Sequence, residues 1–239
     1  MQDNYIGDIG DYGKYGLLRE ICANAVSLAV NWYRVIPTKM EKQDDGKYIN
    51  YLSMPQFYRE YDSALFDSLY KIVKQEKDRR IERVEQERLF QAVYFSQEIA
   101  ADRFTWHRKA LEQTQEAGAV FLDPDNGLET AKMYQTGSAT EKHVKWAELK
   151  DYYARGQNVI VYQHRPQMVS KERCIDGIVQ FQKNYLSADY VKLLEFPKYT
   201  NRFYFMFLHE HYKATFDGIC SSMVQKWGKN DFCHEITLA

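Results

Sequence analysis

Proline and glycine are scarce in this chain, 5 and 12 of 239 residues, which excludes a collagen-like, linker-like or low-complexity polymer. Cysteine is sparse too. Cys22, Cys174, Cys220 and Cys233 are far apart and none belongs to a Cys-x-x-Cys pair, so a zinc ribbon and a thioredoxin-type motif are excluded, and free thiols in a reducing compartment are expected. Neither sign of charge dominates: 32 Lys and Arg against 33 Asp and Glu leave a net charge of −1. No global pull toward nucleic acid or anionic membrane results, and any nucleic-acid contact has to be a local patch. Long hydrophobic runs are missing. The most apolar stretch, near residues 25–30, is far below the roughly 20 residues of a membrane helix, and Met1-Gln2-Asp3-Asn4 has neither the basic nor the apolar region of a secretory signal. A soluble, cytoplasmic protein with no membrane partner is expected.

Aromatic side chains are what the chain has in quantity: 19 Tyr, 13 Phe and 4 Trp, 15% of the residues. That is ample for a core without staples. No repeat or Pro/Gly/Ser-rich linker marks a boundary, so one α/β domain over 1–239 is expected, with a helical insertion around 55–90. Leu18, Ile21, Cys22 and Ala25 follow Tyr12 at helical spacing, and a β-rich run from Leu28 to Ile36 stops at Pro37. Thr38 to Lys47 is polar and reads as a loop. From Phe57 to Lys77 an amphipathic segment aligns Tyr61, Leu65, Phe66, Leu69, Ile72 and Val73. Mixed charges from Glu76 to Arg88 read as a solvated face.

The second half is more regular. Ala119 to Asp123 and Asn158 to His164 are short apolar runs with polar C-terminal ends, the pattern of buried parallel strands. Between them, Ser138-x-x-Glu141 reads as the capping box of a helix that presents Trp146, Leu149 and Tyr153 and ends at Gly156. Such a unit crosses over right-handedly. Ser170 to Leu186 reads as another helix, Tyr190–Phe196 and Arg202–His209 as a hairpin around a Pro197-to-Asn201 turn, and Phe216, Ile219, Cys220, Met223, Val224 and Trp227 as one face of a last helix stopped by Gly228. The expected class is α/β, a Rossmann-like three-layer sandwich whose mostly parallel sheet closes with a C-terminal antiparallel hairpin. Ligands of such sheets bind beyond the carboxyl ends of the parallel strands.

Three polar segments fall at that edge. Gly7 to Gly16 holds four of the twelve glycines, which suggests positive φ or close approach by a ligand, with Asp11 capping the helix that follows. Its Gly7, Asp8, Gly10, Asp11, Lys14 and Tyr15 are candidate cofactor-binding residues. Asp123-Pro124-Asp125-Asn126-Gly127-Leu128-Glu129 follows a buried strand directly. Asp123, Asp125, Asn126 and Glu129 offer oxygen groups there, and with His164 on the neighbouring strand tip they are the candidate catalytic residues. Tyr12, Tyr162 and Arg165 are candidate substrate contacts, rings for stacking and a guanidinium for phosphate. His209 and His211 read as surface residues rather than as a metal pair.

The segment Gly7-Asp8-x-Gly10-Asp11-x-x-Lys14-Tyr15, followed by a strand and much later by apolar-Asp123-Pro124, resembles the adenine-N6 methyltransferases of 23S rRNA. The resemblance implies a methyltransferase-like sheet, which the terminal hairpin suits, and S-adenosylmethionine as cofactor. It also implies that Asp11 and Lys14 neighbour the cofactor, while Asp123 and the Pro124 carbonyl accept hydrogen bonds from an amino group undergoing methylation. The chain departs from that family at Asp125 and Asn126, where a second proline and a base-stacking aromatic would stand, and no Gly-x-Gly follows the Leu28–Ile36 run. Taken whole, GDxGDYGKYGLLR, FLDPDNGLE and VYQH resemble a group of bacterial proteins from which no activity follows.

The leading expectation is thus a methyltransferase-like protein acting on a nucleic-acid base or nucleotide. A second is a metal-dependent nuclease or phosphohydrolase in which Asp123, Asp125 and Glu129 hold Mg²⁺ or Mn²⁺ while His164 or Lys14 assists. A third is a non-catalytic nucleotide-binding module on the same scaffold.

Overall fold

The computed structural model describes residues 1–35, 46–166 and 168–238. Asp8 begins the first helix: its backbone is extended (φ −71°, ψ 170°) and its Oδ1 accepts the Asp11 amide at 2.9 Å, starting α1 (Ile9–Ala23). After β1 (Leu28–Asn31), α2 (Pro55–Tyr58), α3 (Ser63–Tyr70) with a π-helical continuation at Lys71–Glu76, and α4 (Ile81–Gln86) precede β2 (Val93–Phe95). The helix α5 (Arg103–Gln113) feeds β3 (Ala119–Leu122). A small two-stranded ladder, β4 (Gly127–Leu128) and β5 (His143–Val144), encloses α6 (Ala131–Thr136). Then come α7 (Trp146–Ala154), β6 (Asn158–His164), α8 (Lys171–Tyr185), β7 (Tyr190–Phe196), β8 (Arg202–Leu208), α9 (Lys213–Trp227) and β9 (His234–Glu235).

The main sheet has seven strands in the order β2-β1-β3-β6-β8-β7-β9. Strands β2, β1, β3 and β6 are parallel, β8 runs against both β6 and β7, and β9 runs against β7. Because successive side chains of a strand alternate faces, the core splits in two. Val30, Phe121, Ile160, Tyr204 and Met206 pack against α1, α3 and α9, whereas Ala29, Val120, Val161, Phe205 and Phe207 pack against α5, α7 and α8. This is a three-layer α/β arrangement, and no helix among the described residues is long and apolar enough to cross a membrane.

Several elements differ from the sequence expectation, each for a local reason. The glycine-rich segment is helical from Ile9, and of its four glycines only Gly7 has left-handed backbone (φ +74°). Gly10, Gly13 and Gly16 recur every three residues along α1, where a methyl group would collide with Arg202, Phe196 and Trp227 respectively. Close approach does require these glycines, but the approaching groups are the protein's own side chains. The cap is Asp8 rather than Asp11. Ser138 and Glu141 do not start a helix: α6 has ended at Gly137 (φ +65°), and α7 starts only at Trp146, where the Glu148 carboxylate accepts the Lys145 amide. The β-rich run is a strand only to Asn31, since Trp32 and Tyr33 turn away, Tyr33 with φ +45°. Ile36, Pro37 and the expected loop from Thr38 fall largely outside the described residues.

The glycine stripe makes a prediction about stability. Gly16→Ala should destabilise the fold by about 1–3 kcal/mol, because its methyl group must displace the Trp227 indole. Gly177→Ala, on an α8 position with open space around it, should stabilise by about 0.5–1 kcal/mol through helix propensity. Denaturant melts of both variants check the pair, and the same sign at both positions would contradict it.

Candidate functional site

The carboxyl ends of β1, β3 and β6 form one edge of the sheet. Strand β8 enters from the opposite direction, so its first residue, Arg202, pairs in register with His164 at that same edge. The N-terminal turns of α1 pass over it, and between them lies a cavity of about 270 Å³.

A buried ion cluster forms one wall. Lys14 Nζ lies 2.6 Å from Asp11 Oδ1 and 2.8 Å from Asp123 Oδ2, with all three side chains buried. Asp11 Oδ2 accepts the Gly7 amide at 3.1 Å and the Tyr15 hydroxyl at 2.9 Å. Arg202 faces Asp8 at 3.6 Å and donates to the Lys198 and Thr200 carbonyls. Asp125 receives the Met1 ammonium at 2.9 Å and the Gln2 side-chain amide at 2.7 Å. Four carboxylates thus border the cavity against Lys14, Arg202 and the Met1 ammonium.

Burial sets the titration behaviour. Desolvation raises the Asp123 carboxyl above its ordinary range, with Lys14 and the Met1 ammonium pulling it back and Asp11 adding to the rise. Asp8 is likewise raised by burial against the pull of Arg202. Burial works against the Lys14 ammonium, yet Asp11 and Asp123 outweigh it and hold Lys14 charged. His164 is lowered by burial and by Arg202 and Arg165, which keeps its imidazole neutral at pH 7. Burial pushes the Tyr162 phenol up to about 12, though Arg202 opposes the shift.

The Asp123–Glu129 loop is held by a residue that sequence reasoning passed over. Gln163 Oε1 accepts the Leu128 amide at 2.8 Å and its Nε2 donates to the Asn126 carbonyl at 3.2 Å, while the His164 amide donates to that same carbonyl. Gly127 (φ +113°) leaves the space in which the Gln163 amide sits.

The structure brings Asp8, Gly10, Asp11, Lys14, Asp123, Asp125, Asn126, Tyr162 and His164 to the cavity. It does not bring Glu129, whose Oε1 accepts the Trp146 amide at 2.8 Å. Gly7 and Tyr15 stand behind Asp11. Tyr12 belongs to the core, stacked on Tyr51 at 5.2 Å with its hydroxyl on the Tyr58 and Asp62 carbonyls. Arg165 is not in the lining; its Nη1 donates to the Val169 carbonyl. Asp123, Asp125 and Glu129 do not converge, and among the described residues no three His, Cys, Asp or Glu side chains are placed to hold a metal ion. His209 stacks on Tyr153 at 4.1 Å, away from this edge.

The rim differs in character from the interior. Tyr48, which lines the cavity, stacks on Tyr199 at 4.8 Å and 8°. Tyr199 is 55% exposed on the β7–β8 turn and holds a left-handed φ of +64°. Lys47 lies 5.9 Å from the Tyr48 ring centre, Lys198 is the neighbour of Tyr199, and the Arg165 amide bonds the Asn201 carbonyl at the base of the turn. Arg202, Tyr48 and Tyr204 also line the cavity and were not singled out from sequence. One signal for Arg202 was there: a lone cation opening the otherwise apolar run Phe203–Leu208.

Lys14 faces two buried acids, so the two sides of the cluster should respond unequally to mutation. Lys14→Met strands Asp11 and Asp123 and should cost about 3–5 kcal/mol at pH 7. Asp123→Asn keeps an acceptor for Lys14 and leaves a balanced Lys14–Asp11 pair, so its melting temperature should stay within about 4 °C of the parent. The Asp123 carboxyl titrates higher folded than unfolded, where it is near 3.9. Across that window the folded state binds more protons, so the Asp123 contribution to stability falls as pH rises. The melting temperature of Asp123→Asn relative to the parent should therefore climb between pH 4 and pH 8. Parallel curves would refute the shift. No protein-family model matches the chain, and no curated protein matches it.

Proposed function

We propose that the protein is a methyltransferase-like nucleotide-binding protein that takes an amino-bearing nucleoside into the acidic cavity, with S-adenosylmethionine as its cofactor and a nucleic-acid base or nucleotide as its substrate. The observation that carries this reading is the pairing of an acidic, tyrosine-lined interior with a basic, aromatic rim. Carboxylates accept hydrogen bonds and favour cations, so an interior bordered by Asp8, Asp11, Asp123 and Asp125 suits an exocyclic amine or a sulfonium and repels phosphate. Phosphates are better served outside, at the rim formed by the stacked Tyr48–Tyr199 pair.

Two features support the methyltransferase-like part. Asp123-Pro124 stands at the tip of β3 and lines the cavity together with Asp11 and Lys14, so the residues that the family resemblance assigns to the amine and to the cofactor share one site. The terminal hairpin inserts β8 antiparallel beside β6, as that resemblance also implies. S-adenosylmethionine, when bound, supplies an electrophilic methyl group. The carboxylates and tyrosines suit its sulfonium and its adenosine. The bend after β1 is occupied by Trp32 and Tyr33, both fully buried, in place of the glycine turn that receives the methionine moiety in the family. At about 270 Å³, just below the usual range for a drug-sized ligand, the cavity suits one nucleoside-sized group, with the second partner of a methyl transfer left to the rim. The part of these residues is to bind and orient: Asp123 accepts from an amine, Lys14 fixes Asp123, and Gln163 fixes the loop.

Calorimetric titration of the purified protein tests this. S-adenosylmethionine and adenosine should each bind at one saturable site, and Asp123→Asn should weaken both about ten- to hundredfold, the loss expected for a hydrogen bond to a charged group. No heat from either ligand with folded protein would sink the reading. Saturable Mn²⁺ binding abolished by Asp125→Asn would replace it with the metal-dependent alternative.

A further inference from the structure

Six tyrosines are essentially inaccessible to solvent: Tyr12, Tyr15, Tyr33, Tyr51, Tyr152 and Tyr204. Five have a hydrogen-bond partner for the hydroxyl. Tyr12 donates to the Tyr58 carbonyl, Tyr15 to Asp11, Tyr33 to Glu148 and Tyr51 to the Gly7 carbonyl, while Tyr152 accepts from Asn31. Tyr204, which lines the cavity, has none among the described residues. A buried hydroxyl without a partner lowers stability, so it calls for an explanation. The ring is held edge-on by Phe196 at 5.2 Å, against Tyr162 at 5.9 Å and beside Phe121 at 6.1 Å.

The surrounding chemistry says what kind of atom is missing. Carboxylates on the cavity wall can only accept, so they take up the N–H groups of a ligand. Lys14 already donates to Asp11 and Asp123, and Arg202 donates to two backbone carbonyls while facing Asp8 as an ion pair. The Tyr204 O–H remains as a donor without an acceptor. We propose that the Tyr204 hydroxyl donates to a bare ring nitrogen of the ligand while the acidic wall accepts from an adjacent amino group, so that the cavity selects an amino-substituted heterocycle over its keto counterpart. This rests on the nucleoside reading of the cavity and adds its specificity. Adenosine presents such an edge, an amine beside an unprotonated N1. Inosine presents the reverse, a carbonyl beside an N–H, and would set its carbonyl against carboxylates.

The test uses the full chain, wild type and Tyr204→Phe, titrated with adenosine and with inosine, alongside a thermal melt of each protein. Wild type should bind adenosine at least about tenfold more tightly than inosine. Tyr204→Phe should weaken adenosine binding about tenfold, leave inosine unchanged, and melt at the same temperature as wild type or higher, because it removes an unpartnered polar atom. Unchanged adenosine affinity in Tyr204→Phe, or equal affinity of wild type for the two nucleosides, overturns this inference while the nucleoside reading stands. A melting temperature lowered by several degrees with affinity retained assigns the hydroxyl to the fold and also overturns it. Failure of folded wild type to bind either nucleoside overturns both readings together.

Discussion

One ammonium group buried between two carboxylates organises this end of the molecule. Lys14 belongs to the first helix and Asp123 to the tip of the central strand β3, and their contact spans 109 residues of chain. Neither charge could be buried alone, since desolvation of a lone ion exceeds what packing returns. Helix α1 must therefore lie where Lys14 meets Asp123. The other partners follow from that position: Asp11 reaches back to the Gly7 amide and forward to the Tyr15 hydroxyl, and Asp8 meets Arg202 where β8 begins.

The glycines of α1 are the steric counterpart of this electrostatic anchor. Lys14 draws the helix toward the sheet edge, and Gly10, Gly13 and Gly16 let it come close to Arg202, Phe196 and Trp227. A helix with three glycines is intrinsically weak; here burial against two other elements replaces propensity as the source of its stability. The cost of the arrangement is an excess of acid. Two carboxylates surround Lys14, and two more nearby are met by Arg202 and the Met1 ammonium, which leaves one more acid than base around the cavity.

How far the sequence spoke for itself depended on whether a pattern was local. Strands at Asn158–His164 and Tyr190–Phe196 were legible to the residue because apolar runs bounded by polar ends have few other readings. The helix expected over Ser170 to Leu186 runs from Lys171 to Tyr185, with Ser170 as its cap. Long-range relations were not legible. The spacing Gly10, Gly13, Gly16 is the same for a ligand-cradling loop and for a helix packed against a tryptophan some 211 residues later, and only the partner distinguishes them. Glu129 looked like a member of the Asp123–Asp125 cluster because it is near in sequence, yet the β4 ladder turns it to the Trp146 amide. Gln163 and Tyr204 gave no signal, since their roles exist only once two strands are side by side. The two-residue strands β4, β5 and β9 were too short to carry a period.

The antiparallel entry of β8 has a consequence of its own. A parallel strand brings its last residue to the binding edge and hands the chain to a helix, so its contribution is locked into the sandwich. Strand β8 brings its first residue instead, and the Pro197–Asn201 turn that delivers Arg202 also supplies Thr200 to the cavity wall and the two carbonyls that aim the guanidinium. Lengthening or shortening that turn would reshape one side of the cavity and redirect its arginine while every strand pairing stayed in register.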